Sequence, residues 1–394
     1  MKILYAAGPG NVIQTYHYWL EGEDDPTQLA ITYSGQFYSV CTELNLEGYL
    51  ISSYPETQKT EDKKFRIEHR PIPFCKSKMG ILYHLGQFWY GINLIISALR
   101  FQADVVIIVT GSTHLFLLFP LTKLGIRVTP LLQCVLWRKN QPISQFNRLL
   151  LRLNGYFLAK ECYCAFSLSK DITNQVKEIT NGKPPTIIEY LPIYRRQRFA
   201  DLKTIDPNQT PFQILFAGRI EKNKGVFDLL EIAHSFLAEG QRKFVFNICG
   251  DGSQLITLQN LVKEKGLGSS FLCWGHCNHA QMRTMFNRSH IVVVPTTTNF
   301  VEGFNKVVVE GILSMRPVIT SSVCPAINYV REGIIEVPPD DRNAYKKAIL
   351  QLATDQELYK EKQQACLHLK EKFYDSSNGW GASLKGVLQE INKL

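Results

Sequence analysis

Two glutamates with seven residues between them, Glu302 and Glu310, have the types and spacing to do chemistry on a polar ligand. They belong to the stretch 299–319, which reads N-F-V-E-G-F-N-K-V-V-V-E-G-I-L-S-M-R-P-V-I. Gly303, next to the first, lets the backbone approach a ligand closely. The N–H groups of Phe304, Asn305 and Lys306 open an apolar helical run and would face an anion, helped by the helix dipole. Glu310, about two turns further on, would hold hydroxyls of the same ligand. An anion joined to a polyol describes a nucleotide sugar.

Such a loop needs a strand on either side. Residues 291–294 are a β-branched run stopped by Pro295, which reads as a buried strand. Residues 307–313 are apolar enough for a helix packed inside the protein, and Pro317-Val-Ile opens the next strand. Strand, loop, helix and strand make a βαβ unit, and its parallel sheet places the 296–304 loop at the carboxyl edge, where ligands bind. The same alternation runs through the chain, with strands expected at 3–7, 105–109, 128–132, 165–169, 187–189, 244–249 and 271–275. A length of 394 residues exceeds what one core usually supports, so two α/β domains are expected.

The run E-G-F-N-K-V-V-V-E resembles the E-x7-E motif of retaining glycosyltransferases of family 4, which have the GT-B fold. The resemblance implies that Glu302 faces the donor sugar and that Glu310 binds the ribose. Residues 213–225, Q-I-L-F-A-G-R-I-E-K-N-K-G, resemble the family's second signature, a strand ending in Gly-Arg followed by a lysine-glycine pair. By that likeness Arg219 and Lys224 neutralise the donor diphosphate and stabilise it as a leaving group. Gly250, in a Gly-Asp-Gly turn, then lies at the cleft, and the strand at 271–275 ends near the nucleotide base. Gly8 and Gly10, in the turn after the first strand, face the donor phosphates or the acceptor. Gln133 stands where the family often has a histidine contacting the donor sugar; it can hydrogen-bond but cannot titrate, so no acid–base role falls to it. The resemblance is strong over 212–340 and weaker over 1–200.

Composition is that of an ordinary globular protein, 45% hydrophobic and 20% charged, and the net charge of +9 favours anionic partners. Ten cysteines without paired spacing suggest reduced thiols in a cytosol, and the opening M-K-I-L-Y-A-A-G reads as a strand and turn rather than a secretory leader. No full G-x-G-x-x-G follows Gly10, which argues against a nicotinamide dehydrogenase. Asp24 and Asp25 read as a solvated loop, and Cys273, His276, Cys277 and His279 lack a second ligand-pair spacing for zinc. His114 reads either as a group facing the cleft or as a helix-start histidine. The apolar stretch 81–99 reads as a buried crossover helix, because His84, Gln87 and Asn93 interrupt it. The segment 137–160 carries Arg138, Lys139, Arg148, Arg152 and Lys160 with no acidic residue. On it, Phe146, Leu149, Leu150, Leu153 and Phe157 share one helical face. Such a helix lies either on an anionic membrane or against the core with a wet basic side.

The fold expected is therefore α/β, GT-B, with two Rossmann-like domains facing a central cleft. Residues 1–204 form an acceptor domain, 205–374 a donor domain, and 375–394 a helix returning to the first. The function expected is retaining, metal-independent transfer of a hexose from a UDP- or GDP-sugar to a saccharide or lipid-linked acceptor, in cell-surface polysaccharide or glycolipid synthesis. No cofactor, metal or nucleic acid is expected, and the location is cytoplasmic, with peripheral contact to an anionic membrane face. The alternatives are a GT-B-fold nucleotide-sugar epimerase, which Gln133 weakens, and a non-catalytic polyanion-binding module, which leaves the two carboxylates unexplained.

Overall fold

Aliphatic runs with no polar face, such as Val105–Val109 and Ile291–Val294, are satisfied only in a sheet covered on both sides. In the computed structural model, which describes residues 1–73, 80–138 and 141–393, they lie at the centres of two separate sheets. Lys139, one of the basic residues noted above, lies outside the described residues. The chain divides into two compact units, one of Met1–Trp137, Pro142–Ile193 and Asp375–Leu394, the other of Arg138–Gln141 and Tyr194–Tyr374.

The first unit contains β1 (Lys2–Ala7), β2 (Glu47–Ser52), β3 (Gln58–Glu61), β4 (Phe65–His69), β5 (Val105–Val109), β6 (Arg127–Leu132), β7 (Cys164–Ser167) and β8 (Thr186–Glu189). Their spatial order is β3-β4-β2-β1-β5-β6-β7-β8, parallel except for the edge strand β3. The order reverses between β1 and β5, so the Gly8–Gly10 turn and the loop from Thr110 to His114 flank that reversal.

The final helix, Trp380–Ile391, packs on this unit. Trp380 is fully buried, with its ring centroid 5.3 Å from that of Tyr5, 5.9 Å from Tyr33 and 6.2 Å from Phe166. Gly381 N donates to Gln36 Oε1 at 2.7 Å, and Lys385 pairs with Glu43. The polar 204–211 segment lies wholly in the second unit. Ile205 joins that unit's core, and the buried Arg316 guanidinium donates to Lys203 O at 2.7 Å.

Helix Ile81–Phe101, expected to be buried, is covered on one side only, and helix Gln145–Lys160 leaves part of its apolar face open. Helix Ile81–Phe101 buries Tyr90, Leu94 and Ala98, but Leu82, Leu85, Trp89, Ile92, Ile96 and Leu99 are exposed. A helix that is apolar all round does not disclose in its sequence which face the fold will cover. Helix Gln145–Lys160 buries Leu150 and Phe157 and leaves Phe146, Leu149 and Leu153 exposed, because its apolar arc is wider than the strip it packs with. Among the described residues no helix is long and apolar enough to cross a membrane.

The second unit contains β9 (Phe212–Ala217), β10 (Phe244–Cys249), β11 (Phe271–Gly275), β12 (Ile291–Val294), β13 (Val318–Ser321) and β14 (Ile334–Val337). All are parallel in the order β11-β10-β9-β12-β13-β14, so this order reverses between β9 and β12.

Truncating Trp380 to Ala is expected to lower the stability of the first unit by about 3–5 kcal/mol, as for other buried aromatics. Denaturant unfolding followed by fluorescence and circular dichroism measures it. An unchanged midpoint would show that the last helix adds nothing to that core.

Candidate active site in the second unit

Ligands of open parallel sheets sit outside the carboxyl ends of the strands where the strand order reverses. Here that place lies beyond Ala217 of β9 and Val294 of β12, and the loops leaving those strands are held unusually close. Gly225 has φ +73, and a Cβ there would stand 2.0 Å from the carbonyl oxygen of Pro295. Gly250, after β10, has φ +146, and a Cβ there would stand 1.8 Å from the carbonyl oxygen of Gly218. Both positions exclude any side chain, so Gly250 has a packing role beside the donor role expected of it.

This nesting brings the expected residues together. Lys224 Nζ lies 2.8 Å from Glu302 Oε2, and both side chains are largely buried. Asn305, in the left-handed region at φ +73, donates from Nδ2 to the same Oε2 at 3.0 Å and lies 3.3 Å from Thr296 Oγ1. The ring of Phe300 lies beneath both cations, its centroid 3.6 Å from Lys224 Nζ and 5.4 Å from the Arg219 guanidinium. The loop carrying Phe300 and Glu302 is tied at its base. Thr297 N and Oγ1 donate to Asn223 O at 3.1 and 3.2 Å, and Thr298 N donates to Asp340 at 3.2 Å.

Beyond this loop, helix Lys306–Leu313 starts at Asn305 without a side-chain cap. Gly303 and Phe304 are buried; Phe304 O accepts from Ala326 N at 2.9 Å, and its ring lies 5.4 Å from that of Tyr329. Glu310 is buried in the second turn. Burial pushes its carboxyl up to about 7, while Lys306 one turn earlier and the Tyr194 hydroxyl pull it down. Burial likewise holds the Lys306 ammonium below its ordinary value, with Glu310 opposing. Each glutamate therefore has its own partners, Lys224 and Asn305 for one, Lys306 and Tyr194 for the other.

The remaining expected residues belong to the first unit. The carbonyls of Gly8 and Gly10 accept from Ser52 Oγ, and Gln133 N donates to Thr110 Oγ1 at 2.9 Å. His114 Nε2 lies 3.1 Å from His84 Nδ1, and burial, with His84 adding to it, pushes His114 down to about 4. Asp25 accepts from Thr27 N at 2.8 Å and from Thr27 Oγ1 at 2.7 Å, the bonds of a local turn. Among the described residues no cluster of three or more His, Cys, Asp or Glu could hold a metal.

Sequence patterning gives a role to the backbone N–H of Lys306 but not to its side chain, and it singles out neither Phe300 nor Tyr194. The four-residue spacing of Lys306 and Glu310 on one helix face was a usable signal. Nothing local pointed to Phe300 or Tyr194.

Residues 197–366 match the family described as glycosyl transferases group 1. Over 302 residues the chain is 22% identical to 2-deoxystreptamine glucosyltransferase of Streptomyces kanamyceticus, covering 71% of this chain and 76% of that one. Its structure resembles sucrose-phosphate synthase from Thermosynechococcus elongatus, with a TM-score of 0.70 at 14% identity over 100% of this chain and 99% of that one. It also resembles HepE from Anabaena in complex with UDP, with a TM-score of 0.63 at 13% identity over 100% of both chains. The fold is GT-B, two Rossmann-like α/β domains. The matches support glycosyltransferase function and do not support the epimerase alternative.

The raised carboxyl of Glu310 sets a pH dependence. The folded chain keeps a proton there that the unfolded chain, with an ordinary glutamate, releases, so stability falls as pH rises from about 4.5 to about 7. The loss reaches at most about 3 kcal/mol, and Glu310→Gln is expected to abolish it. Denaturant midpoints of both proteins across that range measure the difference. Parallel profiles would remove Glu310 as the titrating group.

Proposed function

We propose that the chain transfers a hexose from a nucleotide-sugar donor to an acceptor hydroxyl with retention of configuration, as a metal-independent enzyme of glycosyltransferase family 4. The observation that carries this reading is the convergence of Arg219, Lys224 and Glu302 from two loops at the strand-order reversal of the second unit. Arg219 and Lys224 would hold the diphosphate as it leaves, with the N–H groups at the start of helix Lys306–Leu313 adding positive field. Glu302, its Oε2 held by Lys224 and Asn305, would offer Oε1 to a hydroxyl of the donor sugar. Glu310 would take two ribose hydroxyls. Gly8, Gly10, Gly250 and Gln133 would take the donor-side roles that the resemblance implies.

No side chain of this set is assigned as a nucleophile. The acceptor oxygen would attack the anomeric carbon on the face the diphosphate leaves, as the bond from that carbon to the β-phosphate oxygen breaks. The acceptor proton would pass to the departing phosphate oxygen, so charge and protons balance without a protein base. UDP-sugars are the first donors to try, because HepE holds UDP on the same fold, and GDP-sugars come next. The acceptor proposed is a saccharide or lipid-linked saccharide of cell-surface polysaccharide or glycolipid synthesis. The site of action proposed is the cytoplasmic face of an anionic membrane.

Charge on the diphosphate grows as the glycosidic bond breaks, so contacts from Arg219 and Lys224 strengthen toward the transition state. Replacing both with Ala is expected to lower kcat by about a hundredfold or more while raising the donor KM far less. A folded double variant with near-normal turnover would end the leaving-group assignment. With two cations doing the work of a metal, turnover is also expected to persist in excess chelator. Loss with EDTA and recovery with manganese or magnesium would refute metal independence.

A further inference from the structure

An apolar stripe on the surface of the first unit has no role assigned so far. Leu82, Leu85, Trp89, Ile92, Ile96 and Leu99 recur at alternating intervals of three and four along helix Ile81–Phe101, and all are exposed, Trp89 by 60%. At that spacing they form one line of about 26 Å. The stripe continues onto a second helix. The ring of His84 lies 5.0 Å, edge to face, from that of Phe146, whose helix Gln145–Lys160 also exposes Leu149, Leu153 and Tyr156. Single exposed apolar side chains are ordinary, whereas a contiguous face across two helices marks a contact surface.

The stripe cannot turn inward. Gln87 Nε2 donates to Gly111 O at 2.9 Å and Thr113 Oγ1 donates to Gln87 O at 2.8 Å. Gly91 is pressed so close that a Cβ would stand 2.3 Å from Thr113 Oγ1.

Charge decides the occupant. Neither helix carries an aspartate or glutamate, while Arg100, Arg148, Arg152 and Lys160 are exposed on them. A second copy of this face would bring arginines against arginines with no carboxylate to offset them. A bilayer with anionic headgroups accepts both the apolar stripe and the arginines. We propose that this two-helix face seats the protein on an anionic phospholipid bilayer, with helix Ile81–Phe101 lying in the interface, its stripe inserted, and Arg148 and Arg152 on headgroup phosphates. The bonds from Gln87 and Thr113 tie that helix to the loop at the carboxyl end of β5, so this loop is held beside the bilayer surface. The acceptor class that suits it is a saccharide carried on a membrane lipid. This deepens the acceptor side of the transfer reading and rests on that reading only for the lipid-linked acceptor.

The test uses the full chain without donor, sedimented with vesicles of phosphatidylcholine alone or mixed with phosphatidylglycerol, at low and high salt. The protein is expected to pellet with the mixed vesicles and much less with the neutral ones. Leu85→Gln with Trp89→Gln is expected to weaken that binding about tenfold or more, since apolar burial drives insertion. Arg148→Glu with Arg152→Glu is expected to abolish the preference for phosphatidylglycerol. Both variants alter exposed residues, so melting temperature and turnover of a water-soluble acceptor should match the parent. Parent protein that stays in solution with the mixed vesicles overturns the proposal, as do stripe variants that bind unchanged. A dimer that the stripe variants dissolve also overturns it, by assigning the face to a second copy. Protein that binds vesicles but turns over no nucleotide sugar counts against the transfer reading alone.

Discussion

The contact between Gly225 and the carbonyl of Pro295 is the constraint from which the candidate site follows. Only a residue without a side chain lets the loop after β9 lie against the loop after β12, and only that approach puts Lys224 within 2.8 Å of Glu302. Gly250 repeats the device one strand over, letting the loop after β10 lie against Gly218. The three loops form one nested layer above the sheet. A methyl group at either glycine would force them apart and separate the cations from the carboxylate.

Under the proposed transfer, the charges of that layer would serve an anion that comes and goes. Lys224 and Glu302 are both largely buried, and an unpaired charge at that depth is costly, so each keeps the other satisfied. An arriving diphosphate would compete with Glu302 for the ammonium and leave the carboxylate held by Asn305. Phe300 keeps water from one side of both cations, which strengthens their field on the other. Glu310 is set differently. Burial holds its carboxyl up at about 7, so ligand hydroxyls that prefer a carboxylate would supply part of the ionisation energy at neutral pH.

The sequence showed those parts of the fold whose signal is local. The β-branched run at Ile291–Val294 and the helix after Glu302 are legible because each element carries its own periodicity and its own stop. Glu302 and Lys224 could be named separately, but their pairing spans 78 residues and depends on how two loops nest, which no local pattern encodes. The left-handed backbone of Asn305 is equally silent, since asparagine adopts either hand according to its surroundings. Helix Ile81–Phe101 is the clearest failure. Its outer side is as apolar as its inner one, so hydrophobicity could not say that one side would be left open.

The burial of Trp380 between Tyr5, Tyr33 and Phe166 has a consequence for the order of events during synthesis. In most two-domain chains the leading half can finish folding while the trailing half is still on the ribosome. Here the leading half lacks a central aromatic of its core until residue 380 has been made and has left the exit tunnel. The second unit ends at Tyr374, so all its parts precede Trp380. The unit encoded first is thus the one completed last, and a ribosome that stops between Tyr374 and Trp380 releases a finished second unit attached to an unfinished first.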